Sequence, residues 1–183
     1  MQTLAKQVLE GEGRLRKRLL TIRDRKLTCA RIRCHGDYHL GQVLYTGKDF
    51  IIIDFEGEPA RPLSVRRLKE SPLRDVAGML RSFHYAAQAS SIGLVEGVRP
   101  EDCALLAPWS RYWQLWVSVS YLKAYLSVKE VRDILPASLD DIQILLNGYL
   151  LQKALYELGY ELNNRPDWVR IPLDGILQIL AVE

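Results

Sequence analysis

The segment His35-Gly36-Asp37-Tyr38-His39-Leu40-Gly41-Gln42 concentrates the groups that catalysis needs. Phosphoryl transfer requires an acidic side chain beside the attacking hydroxyl and hard oxygen ligands for Mg²⁺. Asp37 is suited to accept or orient a hydroxyl proton. Gln42 follows at the Asp-to-amide spacing of a phosphotransferase catalytic loop, and its side-chain carbonyl is a hard oxygen donor. Gly36 and Gly41 permit the tight backbone of such a loop. A second acidic group, Asp54, ends the β-branched run Ile51-Ile52-Ile53 and is followed by Phe55 and Glu56. Asp54 is the expected partner of Gln42 at the metal. His35 and His39 are expected to hydrogen-bond the loop backbone so that Asp37 points correctly.

A different chemistry competes for the first loop. His35, Asp37 and His39 alternate, so an extended strand would put them on one face. Such a triplet suits a zinc or di-metal hydrolase. Against it, the sequence offers only one further histidine, His84.

The loops must be held by something. Residues 29–34 alternate and predict a short strand entering the first loop. Val43–Tyr45 and Phe50–Asp54, separated by Thr46-Gly47-Lys48-Asp49, predict a hairpin that fixes the two loops at one separation, with a buried strand before Asp54. Residues 1–24 predict a helix interrupted near Gly11 and Gly13; its many Arg and Lys residues read as a solvated face, with a phosphate-binding stripe as the alternative. Residues 57–72, rich in Pro and Arg, predict an irregular loop. Helices are predicted over 75–89, 101–128 and 138–160, with a last short one from Leu173. The fold class expected is an α-rich α+β domain, mostly helical with a small β-hairpin.

Composition excludes several classes. Hydrophobic residues make up 48% of the 183-residue chain and the net charge is only +3. That balance gives no argument for a nucleic-acid partner. No stretch is apolar enough to span a bilayer, and the N-terminus lacks a signal-peptide pattern. Three cysteines without metal spacing fit a reducing compartment. A cytoplasmic protein without membrane contact is the expectation.

The sequence resembles bacterial maltokinase. The resemblance rests on the His35–Gln42 string, on Ile53-Asp54-Phe55-Glu56-Gly57-Glu58-Pro59-Ala60-Arg61-Pro62-Leu63, on Ser71–Phe83 and on the tail from Tyr156 to Leu173. It implies the C-terminal lobe of a protein-kinase-like fold and ATP-dependent phosphorylation of maltose to maltose 1-phosphate. It further implies Mg²⁺ as cofactor and trehalose synthase as a fusion or complex partner. Carried over residue by residue, Asp37 is the catalytic base and Gln42 and Asp54 hold the metal. Asp75 braces the loop, and Glu56 is a further loop or metal carboxylate.

A sugar needs aromatic faces beside polar groups. Tyr156, Glu157, Tyr160, Glu161, Arg165 and Trp168 supply both, and Tyr156 and Tyr160 share a helix face. Trp109, Trp113 and Trp116, at helical spacing, are expected in the core. Residues 1–183 read as a single domain with no room upstream for an ATP-covering lobe, so the isolated chain is expected to be inactive. Two other functions stay open: phosphorylation of another sugar or an aminoglycoside, and a non-catalytic module docking to trehalose synthase or an N-lobe partner.

Overall fold

Leu73, Val76, Met79, Leu80 and Phe83 fall on one helical stripe, and all five are buried. At about 1.5–3 kcal/mol for each such side chain removed from water, this stripe is a strong anchor of the fold. It belongs to α4 (Leu73–Ser91) of a computed structural model that describes residues 2–94 and 97–181. Pro72 precedes the helix with φ −58°, and the Ser71 hydroxyl accepts the Leu73 amide. Both suit a helix start.

In chain order the other elements are α1 (Gln2–Glu10), α2 (Glu12–Asp24), β1 (Val43–Tyr45), β2 (Phe50–Ile52), α3 (Leu63–Arg66), α5 (Cys103–Ser127), α6 (Lys129–Arg132), α7 (Leu139–Asn164) and α8 (Arg170–Ala181). Single 3-10 turns lie at Leu40–Gln42, Pro100–Asp102 and Pro166–Trp168. Two apolar cores result. One joins α1, α2, α7 and α8 through Val8, Leu15, Leu151, Ala154, Leu173 and Ile176. The other joins the α4 stripe to Leu135 and to the inner faces of α5 and α7. Helix α7 serves both cores, so its register fixes where its polar face points.

The hairpin pairs Val43 with Ile52 and Tyr45 with Phe50 in antiparallel register. The N-terminal helical region breaks at Gly11, as the glycines suggested. Four local expectations are corrected. Residues 29–34 form no strand; only Ile32 bridges, to Glu70. The strand before Asp54 is not buried: Phe50, Ile51 and Ile52 are 66%, 51% and 41% exposed. The Pro- and Arg-rich loop contains the helical turn α3. Trp109, Trp113 and Trp116 lie 68%, 57% and 45% exposed in the order 109, 116, 113. Periodicity marks a helix face but does not say what covers it. α5 turns Val117, Tyr121 and Leu122 inward instead. No helix among the described residues is long and apolar enough to cross a membrane.

Candidate active site

The first loop is clamped from below by α4. The Asp75 carboxylate accepts the backbone amides of His35 (2.7 Å) and Gly36 (2.9 Å). Ser82 Oγ accepts the Leu40 amide at 3.0 Å. Between them α4 comes so close that a Cβ on Gly78 would lie 2.6 Å from the Tyr38 carbonyl oxygen. Only glycine fits there without a shift. Gly36, at φ 87°, makes the turn that hands the chain to Asp37.

The loop's own side chains complete the clamp. His35 Nε2 lies 2.7 Å from the Ile53 carbonyl, tying the first loop to the second. The His39 ring accepts the Gly41 amide through Nδ1 and approaches Asp37 Oδ2 at 3.7 Å through Nε2. His35 thus turns away toward the hairpin while His39 faces Asp37. The alternating triplet does not converge on one point, and the metal-hydrolase arrangement is not formed.

Gln42 and Asp54 are brought into contact. Gln42 Nε2 donates to Asp54 Oδ2 at 2.8 Å. The hairpin sets this pairing, because the Ile53 amide donates to the Gln42 carbonyl at 3.0 Å. Asp54 is the one non-glycine residue with positive φ, 62°, among the described residues. A carboxylate held in the left-handed region is strained, and such strain concentrates at functional sites. Here the Gln42 amide turns its NH₂ to the carboxylate; with the amide rotated to bring its carbonyl round, the two side chains would suit Mg²⁺, which takes few protein ligands and completes its shell with water and phosphate oxygens.

Asp37 opens on a cavity of about 320 Å³ between the loop, α4 and α7. Its walls include Tyr156, Glu157, Tyr160, Glu161 and Arg165, five of the six residues expected at a sugar site. Trp168 is not on the wall. It stacks behind, on Tyr85 at 6.4 Å and under the Arg165 guanidinium at 4.6 Å. Glu56 is displaced further: its side chain lines a separate cavity, away from Asp37.

Three carboxylates of this region each meet a cation. Lys153 Nζ lies 3.2 Å from Asp37 Oδ1. Arg81 Nε donates to Glu157 Oε2 at 2.8 Å across α4 and α7. Arg165 forks onto both Glu161 oxygens, at 2.9 and 2.6 Å, and Tyr85 donates to the same carboxylate at 3.1 Å. Burial pushes the Glu157 carboxyl up, against the pull of Arg81. Burial, then the charges of Glu157 and Glu161, raise the Tyr85 phenol. Tyr156 is pushed up to about 12 by burial and by the nearby Glu58 charge. Glu58, also on the wall, has no ion-pair partner among the described residues.

Sequence reasoning missed Lys153, Glu58, Arg81 and Tyr85. A signal existed for Lys153: it precedes Tyr156, Glu157, Tyr160 and Glu161 at helical spacing and so continues their stripe. For Arg81 and Glu157, 76 positions apart, the partnership is set by how α4 crosses α7.

No protein-family model matches the chain. It is 29% identical over 143 residues to a glucosamine kinase of Streptacidiphilus jiangxiensis, covering 77% of this chain and 30% of that protein. It is 30% identical over 156 residues to a glucosamine kinase of Mycolicibacterium smegmatis (strain ATCC 700084 / mc(2)155), covering 81% and 34%. The chain therefore spans about a third of the length of the curated relatives it matches.

Among solved structures it resembles glucosamine kinase in crystal form B, with TM-score 0.59 at 21% identity over 81% of this chain and 34% of that one. It also resembles glucosamine kinase in complex with glucosamine, ADP and inorganic phosphate, with TM-score 0.58 at 22% identity over 80% and 34%.

These findings correct two expectations. The relatives are glucosamine kinases, so the resemblance to bacterial maltokinase does not hold. The matching folds are those of glucosamine kinases, so the assignment to a protein-kinase-like lobe is withdrawn as well. Short motifs of this kind do not separate one group of phosphotransferases from another. The implied trehalose synthase partner falls with the maltokinase resemblance.

Proposed function

We propose that residues 1–183 form one domain supplying the acceptor-binding and catalytic-loop part of an ATP-dependent sugar kinase whose acceptor is an amino sugar of the glucosamine type. The observation carrying this reading is the Asp37 carboxylate at the mouth of a 320 Å³ cavity whose wall bears Glu58, a carboxylate with no ion-pair partner among the described residues. The glucosamine kinase relatives support it at the level of reaction class.

The chain's own residues divide the work. Lys153 holds Asp37 Oδ1, which leaves Oδ2, beside His39, to take the proton of the acceptor hydroxyl. The hydroxyl oxygen then bonds to the terminal phosphorus of ATP as the bond to ADP breaks. Asp75 and Gly78 keep the loop against α4, so the base is positioned before substrate arrives, which is where most of the acceleration of phosphoryl transfer originates. Gln42 and Asp54 would hold Mg²⁺, which neutralises charge on the phosphates when bound. Tyr156 and Tyr160 offer the sugar apolar faces. Glu157 and Glu161 are committed to Arg81 and Arg165, so the acceptor's ammonium pairs with Glu58.

Calorimetric titration of the 183-residue chain with glucosamine and with glucose tests this. Glucosamine is expected to bind at one site and more tightly than glucose. Glu58→Gln is expected to remove about tenfold of glucosamine affinity, the worth of one charge-assisted contact, while changing glucose little. Absence of sugar binding, or equal losses for both sugars, would overturn the amino-sugar assignment.

A further inference from the structure

On the far side of the Asp54 segment lies a second cavity, of about 490 Å³, that shares no lining residue with the acceptor cavity. Arg33, Arg66, Arg67 and Lys69 line it, with Glu56 as its one carboxylate. None of the four cations is ion-paired with a carboxylate among the described residues. Glu70, next to Lys69 in the chain, is held by Arg74 at 2.7 Å.

Arg66 is the organised member. Its Nη1 donates to the Glu56 carbonyl at 3.2 Å, which fixes the plane of the guanidinium. Its Nε is buried and without a hydrogen-bond partner in the fold. A guanidinium already locked in place gives up little entropy on binding. The uncovered faces of Phe55 and Leu63 add an apolar wall.

We infer that this cavity is a binding site for a small, multiply charged phosphate anion, of the pyrophosphate kind. The chemistry selects that class. Three guanidinium forks match the paired oxygens of phosphate groups better than a single carboxylate, and Lys69 adds a point charge. Four cations against one carboxylate leave an excess that a singly charged anion does not balance. The site is independent of the amino-sugar reading, since it uses none of the acceptor-side residues.

The test is titration of the full chain with inorganic pyrophosphate, without divalent cations, which keeps the Gln42–Asp54 pair from recruiting the anion. One-to-one binding is expected. Arg33→Gln combined with Arg67→Gln, both exposed and away from the buried contacts, is expected to weaken it about tenfold or more. Arg66→Lys keeps the charge but loses the fork, and is expected to weaken it as well. Arg14→Gln combined with Lys17→Gln removes the same charge from the exposed face of α2 and is expected to leave affinity unchanged. Circular dichroism establishes that each variant is folded. Undetectable binding by the wild-type chain, or an equal loss in the α2 control, would overturn the site.

Discussion

The acceptor cavity and the basic cavity flank the same pair of loops yet manage charge in opposite ways. On the acceptor side three carboxylates are each matched with a cation from another turn or helix. On the other side four cations stand together with no ion-pair partner among the described residues. A compensated wall is quiet toward simple ions and reads its ligand by shape and by the one carboxylate of the wall not matched with a cation among the described residues, Glu58. An uncompensated wall attracts charge first and shape second. Neighbouring cavities therefore call for ligands of different chemistry, and each can be perturbed without the other.

The largest separation is expected from Asp37→Asn. The amide keeps the shape of the carboxylate but takes no proton, and in an active enzyme that contains this chain phosphorylation of glucosamine is expected to fall about a thousandfold. Pyrophosphate titration of the same variant is expected to be unchanged. A parallel loss of both would break the comparison by joining the two cavities into one site.

Gly78→Ala comes next. Its added Cβ meets the Tyr38 carbonyl. Lifting the loop from α4 is expected to cost about 1–3 kcal/mol, read as a lowered midpoint in urea. Glucosamine binding should weaken along with stability. Pyrophosphate binding should persist at denaturant concentrations where the variant is still folded, because the basic cavity hangs on Arg66 and α3 rather than on Gly78.

The smallest expected effect is on pH. His84 is buried on α4 beside Arg81, and burial holds its pKa below the usual 6.5, with Arg81 adding to the effect and Asp174 on α8 opposing it. Asp174 is in turn held low, chiefly by its hydrogen bond to His84. The folded protein therefore binds fewer protons at His84 than the unfolded chain does as pH falls through 6.5. Stability is expected to drop on acidification in that range. The drop should shrink in His84→Gln, as followed by thermal melting at pH 7.5 and 5.5.

Local features were legible. The hairpin, the break at Gly11 and the long helices near 75–89, 101–128 and 138–160 follow from turn residues and short-range periodicity, and all appear within a few residues of the expected bounds. The polar stripe of α7 was legible for the same reason, since i and i+4 positions share a face whatever surrounds the helix. The α5 tryptophans were misread because the same periodicity serves covered and uncovered faces alike. The group assignment was misread because a short loop motif carries little about the acceptor.

By itself, then, the sequence determined which groups are available: a carboxylate between two histidines, an amide and a second carboxylate on either side of a hairpin, and a helix edged with tyrosines and glutamates. Tertiary structure alone decided their charges' partners. Lys153 reaches Asp37 across 116 positions, and Arg81 reaches Glu157 across 76. Glu58 was left without a cation among the described residues, and Glu56 was placed on the other cavity. The physical reason is that electrostatic pairing depends on distance in space, and only the packing of α4 against α7 sets that distance.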